Sequence, residues 1–254
     1  QDPCTSNRHF QLAPIDRQPP IGHLRIERNF FYGINGINLD AARAAEGVVA
    51  AFSGADLAGD WVGSMPCAWP VTEDIKMPTH HPLAADEARY QGDGVAVVVA
   101  ESRALAKDAA ELVEVDYEPL GSVGDVEKAL AENAPLVHAE LETNECYVWK
   151  LETGDAQAAI DAADVVVTRR YVQPRLIPNA IEPRGVLAQV GPTGDVTLWS
   201  ATQVPHILRF TMPLVLGIPE SKVRVIAPDV GGGFGSKLDV YAEELLAVAL
   251  TRRL

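Results

Sequence analysis

Basic residues, cysteines and long apolar runs are what this chain has little of. Its 254 residues hold 21 Lys and Arg against 35 Asp and Glu, a formal net charge of −14. A nucleic-acid surface needs clustered cations to neutralise phosphates, so that class of partner is excluded. An anionic membrane surface is disfavoured for the same reason. No apolar stretch approaches the length of a bilayer-crossing helix, and no charged, apolar and small-residue series opens the chain as a secretion signal would. The cytoplasm is the location this implies. The first residue is Gln1 rather than Met, which points to processing or to a cut boundary. Cys4, Cys67 and Cys146 are odd in number and far apart, so they fit neither a disulfide framework nor a metal or iron–sulfur pattern. They read as buried or incidental thiols. Internal repeats and low-complexity tracts are missing too.

What is present is an ordinary globular composition, 47% hydrophobic and 22% charged, in a length that suits one large domain or two ordinary ones. Residues 1–20 are polar and broken by Pro3, Pro14, Pro19 and Pro20, which predicts an irregular arm. The run from Gly47 to Ser53 predicts a buried strand, with Ser53 capping a helical turn over 54–57. Residues 59–92 predict a long loop. A strand over 95–100, a helix from Ser102 and a strand from Val113 that ends at Pro119 predict an α/β unit. Short helices are expected at 123–132 and 155–163, and a strand at 165–171. Strands at 186–190 and 196–200 flank Gly191-Pro-Thr-Gly-Asp195, a hairpin signal. A helix over 205–216 stops at Gly217, a strand covers 223–227, and a helix covers 239–252. The composition shift near 133–144 separates a first domain, 21–142, from a second, 143–254.

The stretch Val230-Gly231-Gly232-Gly233-Phe234-Gly235-Ser236-Lys237 stands apart. Three consecutive glycines bring no side chain and cost the most entropy, so they belong where the backbone turns sharply or a ligand comes close. Placed between a strand and a helix, they form a candidate anion site. As a dinucleotide fingerprint the match is half complete: Ser236 occupies the third glycine position, and the acidic partner would fall beyond the last residue. As a phosphate loop of the Gly-Lys-Ser/Thr type it fails, because the order is Gly-Ser-Lys. A purely structural glycine turn remains open on the residues alone.

That octapeptide resembles the cofactor loop of the molybdenum hydroxylases, the family of xanthine dehydrogenase, aldehyde oxidase and the aerobic carbon-monoxide dehydrogenase large subunit. Other segments agree in order. Met77-Pro78 through Pro82-Leu83-Ala84, Val95-Ala-Val-Val-Val-Ala-Glu101, Ala106-Lys-Asp-Ala-Ala-Glu111 and Val115-Asp-Tyr-Glu-Pro-Leu120 resemble that family's hammerhead domain. Asn179-Ala-Ile-Glu-Pro-Arg-Gly185 resembles the start of its molybdopterin-binding domain, and Trp199-Ser-Ala-Thr-Gln-Val-Pro-His206 resembles a strand end that carries a glutamine beside the metal. The resemblance runs over about residues 40–254. Residues 1–36 do not resemble the family's usual start.

The resemblance implies an α/β (α+β) architecture, a hammerhead-like domain followed by the first part of a molybdopterin-binding domain. It implies molybdopterin as cofactor and hydroxylation of a small-molecule substrate with an oxygen from water, the cofactor carrying the redox step. Gln203 matches the glutamine that hydrogen-bonds an oxygen ligand of the metal. Phe234 and Gly235 match positions whose ring and backbone border the centre, and Gly232 and Gly233 match the close-approach glycines. A solvent-facing Gln203 and a core Phe234 are the competing expectations. Glu182 and Arg184 suit a structural salt bridge, with each other or with another segment. His80 and His81 read as loop histidines without a third ligand, and His206 as either pocket-facing or a surface residue at a helix start. Leu238 stands where purine-oxidising members carry a glutamate; an apolar side chain cannot hydrogen-bond a purine, which disfavours xanthine and points to the carbon-monoxide or aldehyde dehydrogenase type. The family's large subunit is several times longer and ends with a general-base glutamate and further cofactor loops. The expectation is therefore an N-terminal piece, inactive alone, whose last helix leaves Leu238, Tyr241, Leu245 and Ala249 without a packing partner. The partners implied are the remaining large-subunit sequence, an iron–sulfur subunit and an FAD subunit. The alternatives are a nucleotide-binding α/β enzyme and a non-catalytic assembly module.

Overall fold

The computed structural model describes residues 9–13, 31–67, 69–174 and 176–254, and Cys4 lies outside them. In chain order the elements are β1 (His9–Ala13), β2 (Phe31–Asn38), α1 (Asp40–Ala44), β3 (Val48–Ser53), α2 (Gly54–Leu57), β4 (Glu87–Ala88), β5 (Ala96–Ala100), α3 (Arg103–Ala110), β6 (Glu114–Leu120), α4 (Val126–Ala129), α5 (Ala156–Asp161), β7 (Val186–Val190), β8 (Val196–Ser200), α6 (Pro205–Leu216), β9 (Val223–Ile226) and α7 (Ala242–Arg253).

They build three three-stranded sheets, ordered β1-β5-β3, β4-β2-β6 and β7-β8-β9. The first two are antiparallel throughout. In the third, β7 runs antiparallel to β8, as the hairpin signal predicts, and β9 runs parallel to it. The fold is thus α+β rather than a doubly wound sheet. The expected strand–helix–strand unit is present, but its two strands join different sheets: β5 pairs with β1 and β3, and β6 pairs with β2. The regular β1, paired along β5 from His9↔Ala100 to Ala13↔Ala96, stands inside the stretch expected to be irregular.

Strand β5 explains how the molecule is layered. All five of its residues are buried, and successive side chains point to opposite faces. Ala96 and Val98 enter a cluster with Leu39, Ala42, Ala51 and Ala109. Val97 and Val99 enter the larger cluster, which also holds Leu198 of β8, Leu208 and Met212 of α6, and Leu245 and Leu250 of α7. Each such valine contributes about 1.5–3 kcal/mol by leaving water. One strand of the N-terminal half therefore supplies core to the C-terminal half. The seam is also pinned by Val62 N–H donating to the Val215 carbonyl at 2.8 Å and by an Arg253–Asp60 ion pair at 2.6 Å.

Local chemistry sets the element ends. Ser53 accepts from Asp56 N–H while Asp56 reaches back to the Ser53 N–H, a capping box that starts α2. Ser102 Oγ accepts from Leu105 N–H at 3.3 Å and starts α3. Helix α6 begins on Pro205 and ends on Gly217, whose φ of 65° is the left-handed C-cap. Helix α7 starts at Ala242 rather than 239 because the Glu244 carboxylate accepts from Tyr241 N–H at 2.9 Å. Its expected unpacked face is packed in part: Leu245 and Ala249 are buried, whereas Leu238 is 52% exposed.

One expected strand is absent. Residues 165–171 form no ladder, and Val165, Val167 and Tyr171 are exposed along with Trp149, Leu176 and Ile181. A β-branched run becomes a strand only where a neighbour completes its hydrogen bonds, and among the described residues none lies beside it.

Candidate functional site

The parallel strands β8 and β9 end side by side and release two loops toward one another. From β9 the chain passes into Gly231–Lys237, where Gly232 (φ 96°), Phe234 (φ 51°) and Gly235 (φ 88°) adopt left-handed backbone. Glycine does this freely; for Phe234 it costs about 1–2 kcal/mol. Strain of this kind at a non-glycine residue points to a site whose surroundings over-determine it. The turn is closed by Ser236, whose N–H and Oγ–H both donate to the Gly233 carbonyl at 2.9 Å.

From β8 comes Gln203, and the two loops are joined through it. Its N–H donates to the Lys237 carbonyl at 2.8 Å. Its Oε1 accepts from the N–H groups of Gly235 and Lys237, both at 3.2 Å. Two donors demand an oxygen, which fixes the amide's orientation and leaves the Nε2 hydrogens facing away from the loop. The approach is possible because position 233 has no side chain: a Cβ there would lie 2.3 Å from Gln203 Oε1. Within 231–238, the N–H groups of Gly233 and Phe234 are the two without an acceptor among the described residues. Phe234 is 75% exposed, so it is no core aromatic, and its ring lies against Gly232.

Beneath the loop a buried lysine pairs with a partly exposed carboxylate. Lys237 is 2% exposed, and its Nζ donates to Glu182 Oε2 at 2.7 Å. The same oxygen accepts from Gly231 N–H at 2.7 Å. The Lys237 hydrogen bond, then that from Gly231, hold the Glu182 carboxyl below its ordinary pKa. A nucleotide phosphate would need this N–H and this ammonium, and both are taken by an internal carboxylate. The helix N-terminus is taken as well, by Glu244. The anion site expected at the strand–glycine–helix junction is therefore already filled by the protein itself.

Outside the loop, Arg184 pairs with Glu243 at 2.6 Å rather than with Glu182, and its guanidinium lies 3.6 Å from the centre of the Tyr241 ring. Tyr241 OH in turn donates to the Ser236 carbonyl. Buried Glu244 accepts from Ser200 Oγ–H, and burial raises its pKa. Sequence reasoning placed Gln203, Gly232, Gly233, Phe234 and Gly235, and the structure brings them together. It read Glu182 as one side of a salt bridge but left the partner open, and it missed the roles of Lys237 and Tyr241. A lysine embedded among glycines was the available signal, since a buried ammonium requires a carboxylate.

The remaining candidates stand apart. His206 is exposed in the first turn of α6. His80 and His81 lie in the 61–86 loop, where burial, then His80, lowers the His81 pKa. No group of three or more His, Cys, Asp or Glu that could hold a metal occurs among the described residues. Cys67 and Cys146 are free and exposed. No helix among the described residues is long and apolar enough to cross a membrane.

Comparison with known proteins finds two family matches along the chain. Residues 33–121 match the family described as "Aldehyde oxidase and xanthine dehydrogenase, a/b hammerhead domain", and residues 137–254 match "Molybdopterin cofactor-binding domain". The chain is 34% identical over 229 residues to the carbon monoxide dehydrogenase large chain of Afipia carboxidovorans, covering 85% of this chain and 27% of that one. It is 37% identical over 218 residues to a putative xanthine dehydrogenase molybdenum-binding subunit of Escherichia coli, covering 86% and 29%. Quinoline 2-oxidoreductase from Pseudomonas putida superposes with a TM-score of 0.79 at 34% identity, over 88% of this chain and 28% of that one. The chain thus spans between a quarter and a third of the length of these relatives. Its two matched regions, in this order and with this loop, make it a member of the molybdenum hydroxylase family.

Proposed function

We propose that this chain provides one wall of a molybdopterin site in the large subunit of a molybdenum-dependent oxidoreductase of the carbon-monoxide or aldehyde dehydrogenase type. The observation that carries the proposal is the fixed Gln203 amide: its Oε1 is held by Gly235 and Lys237, so its Nε2 is a preset donor to a ligand. The residues fit the group. Gly233 lets the Gln203 amide lie against the loop, and beside it Gly233 and Phe234 carry N–H groups without an acceptor among the described residues. Gln203, Gly232, Gly233, Phe234 and Gly235 would hold the cofactor, with neutral donors rather than a charged clamp. When bound, the cofactor supplies the two-electron redox step of hydroxylation. The protein's part is to orient it through the Gln203 amide and to shield one side with the Phe234 ring, which limits water.

Partners belong to the same proposal: the rest of a large-subunit sequence, an iron–sulfur subunit, an FAD subunit and a small-molecule substrate. The relatives' names support the large-subunit role, and the exposed apolar run at 147–181 supports a polypeptide neighbour. Exposed free Cys67 and Cys146 support a cytoplasmic location. We place the domain boundary at 142/143, a few residues inside the second family match, which begins at 137, with an arm at 1–20. The sequence spans between a quarter and a third of its relatives' length, and on its own it is expected to be inactive.

The experiment is metal and pterin analysis of the complex assembled with the rest of the large-subunit sequence. Molybdenum and pterin in equal amounts, both reduced at least tenfold in Gln203→Ala, are expected. A correctly folded complex free of molybdenum would defeat the proposal.

A further inference from the structure

The loop's first N–H and its lysine serve nothing outside the protein. Glu182 Oε2 accepts from Gly231 N–H and Lys237 Nζ, both at 2.7 Å, and Glu182 N–H donates back to the Gly231 carbonyl at 3.4 Å. A Cβ at Gly231 would lie 2.6 Å from Glu182 Cβ, so glycine is required there for the carboxylate to enter. Lys237 is buried, and its own backbone N–H and carbonyl bond Gln203. One residue thus ties the carboxylate on one flank of the loop to the glutamine on the other.

We propose that Glu182 and Lys237 are positioning and specificity-determining residues of the glycine loop: the carboxylate occupies the place a phosphate group would take, and so restricts the loop's outward donors to Gly233 and Phe234. The consequence is selectivity. Three or four converging donors suit a phosphate, whereas two adjacent N–H groups suit a single acceptor atom on a neutral or weakly charged ring. The ligand named here rests on the molybdopterin reading; the geometry does not.

The test uses the full-length large subunit in its complex. In Glu182→Ala, the Gly231 N–H and the Lys237 ammonium face a cavity the size of a carboxylate. Amide exchange at Gly231, Gly235 and Lys237 should accelerate at least tenfold, and millimolar formate or inorganic phosphate should return it toward the wild-type rate. Wild-type exchange should not respond to either anion. Glu182→Gln keeps the volume and an acceptor oxygen for both Gly231 and Lys237 but leaves the ammonium without a counter-charge. It should also accelerate exchange, without rescue, and it serves if the alanine variant does not fold. Exchange unchanged in both variants, or a variant whose accelerated exchange formate and phosphate leave untouched in the alanine case, overturns the positioning role. Molybdenum content of the wild-type complex is measured in parallel. Its absence would defeat the cofactor reading and leave the exchange result standing.

Discussion

The substitution Gly233→Ala separates geometry from backbone preference at the proposed site. Gly233 does not adopt left-handed backbone, unlike Gly232 and Gly235, so alanine meets no conformational barrier there. It meets Gln203 instead: the new Cβ would sit 2.3 Å from Oε1, 2.5 Å from Cδ and 2.8 Å from Cγ. The glutamine must swing away and give up its bonds to Gly235 and Lys237. At about 0.5–1.5 kcal/mol each, the loss is about 1–3 kcal/mol, against a gain of about 0.4–1 kcal/mol from the stiffer unfolded chain. The net cost of one or two kcal/mol corresponds to about 2–8 °C in unfolding temperature for a protein of this size. The sharper reading is local. Amide exchange at Gly235 and Lys237 should rise by about ten- to a hundredfold, since about 1.4 kcal/mol is a factor of ten. The double variant Gln203→Gly/Gly233→Ala removes the collision but not the loss of the two bonds, so the unfolding temperature should stay lowered and both amides should stay fast. Wild-type protection at those amides in folded Gly233→Ala would refute the steric argument.

Three further outcomes follow from the same structure. Gly54→Ala would place a Cβ 2.2 Å from the Ala84 carbonyl oxygen, where backbone must move; overpacking of about 1–3 kcal/mol should lower the melting temperature by at least about 2 °C in a calorimetric scan. Phe234→Gly removes the left-handed strain of an exposed side chain, so melting should be unchanged or higher, while molybdopterin retention in the complex falls. Glu244 has a folded pKa raised by burial, so its stabilising contribution is complete below the ordinary Glu range and is lost as pH rises through the folded value. Glu244→Gln should therefore compare best with wild type near pH 7.5 and worse toward pH 5 in paired thermal melts; a difference independent of pH would count against the assignment.

Local signals made much of the fold legible. Strand β5 is an unbroken apolar run, α6 is bracketed by Pro205 and Gly217, and β7 and β8 flank a turn rich in glycine and proline. Strand β2 was silent because Phe31-Tyr-Gly-Ile-Asn-Gly-Ile-Asn38 carries glycines and asparagines that weaken a strand on its own; its ladder with β6 overrides that weakness. Strand β4, two residues long, is too short for any period. Residues 165–171 show the converse, strong local preference with no ladder to join. At the site, motif order made Gln203 and the glycines legible. The Glu182–Lys237 pair was not, because its members stand 55 residues apart and only the folded chain makes them neighbours.

The core shared across β5 has a mechanical meaning. Val97 and Val99 belong to the same apolar cluster as Leu198, Met212 and Leu245, so the two matched regions cannot rotate against each other without opening that cluster. The glycine loop is consequently mounted on a frame that behaves as one block: thermal unfolding should proceed as a single transition, and the N-terminal half acts as the foundation that keeps the loop from drifting.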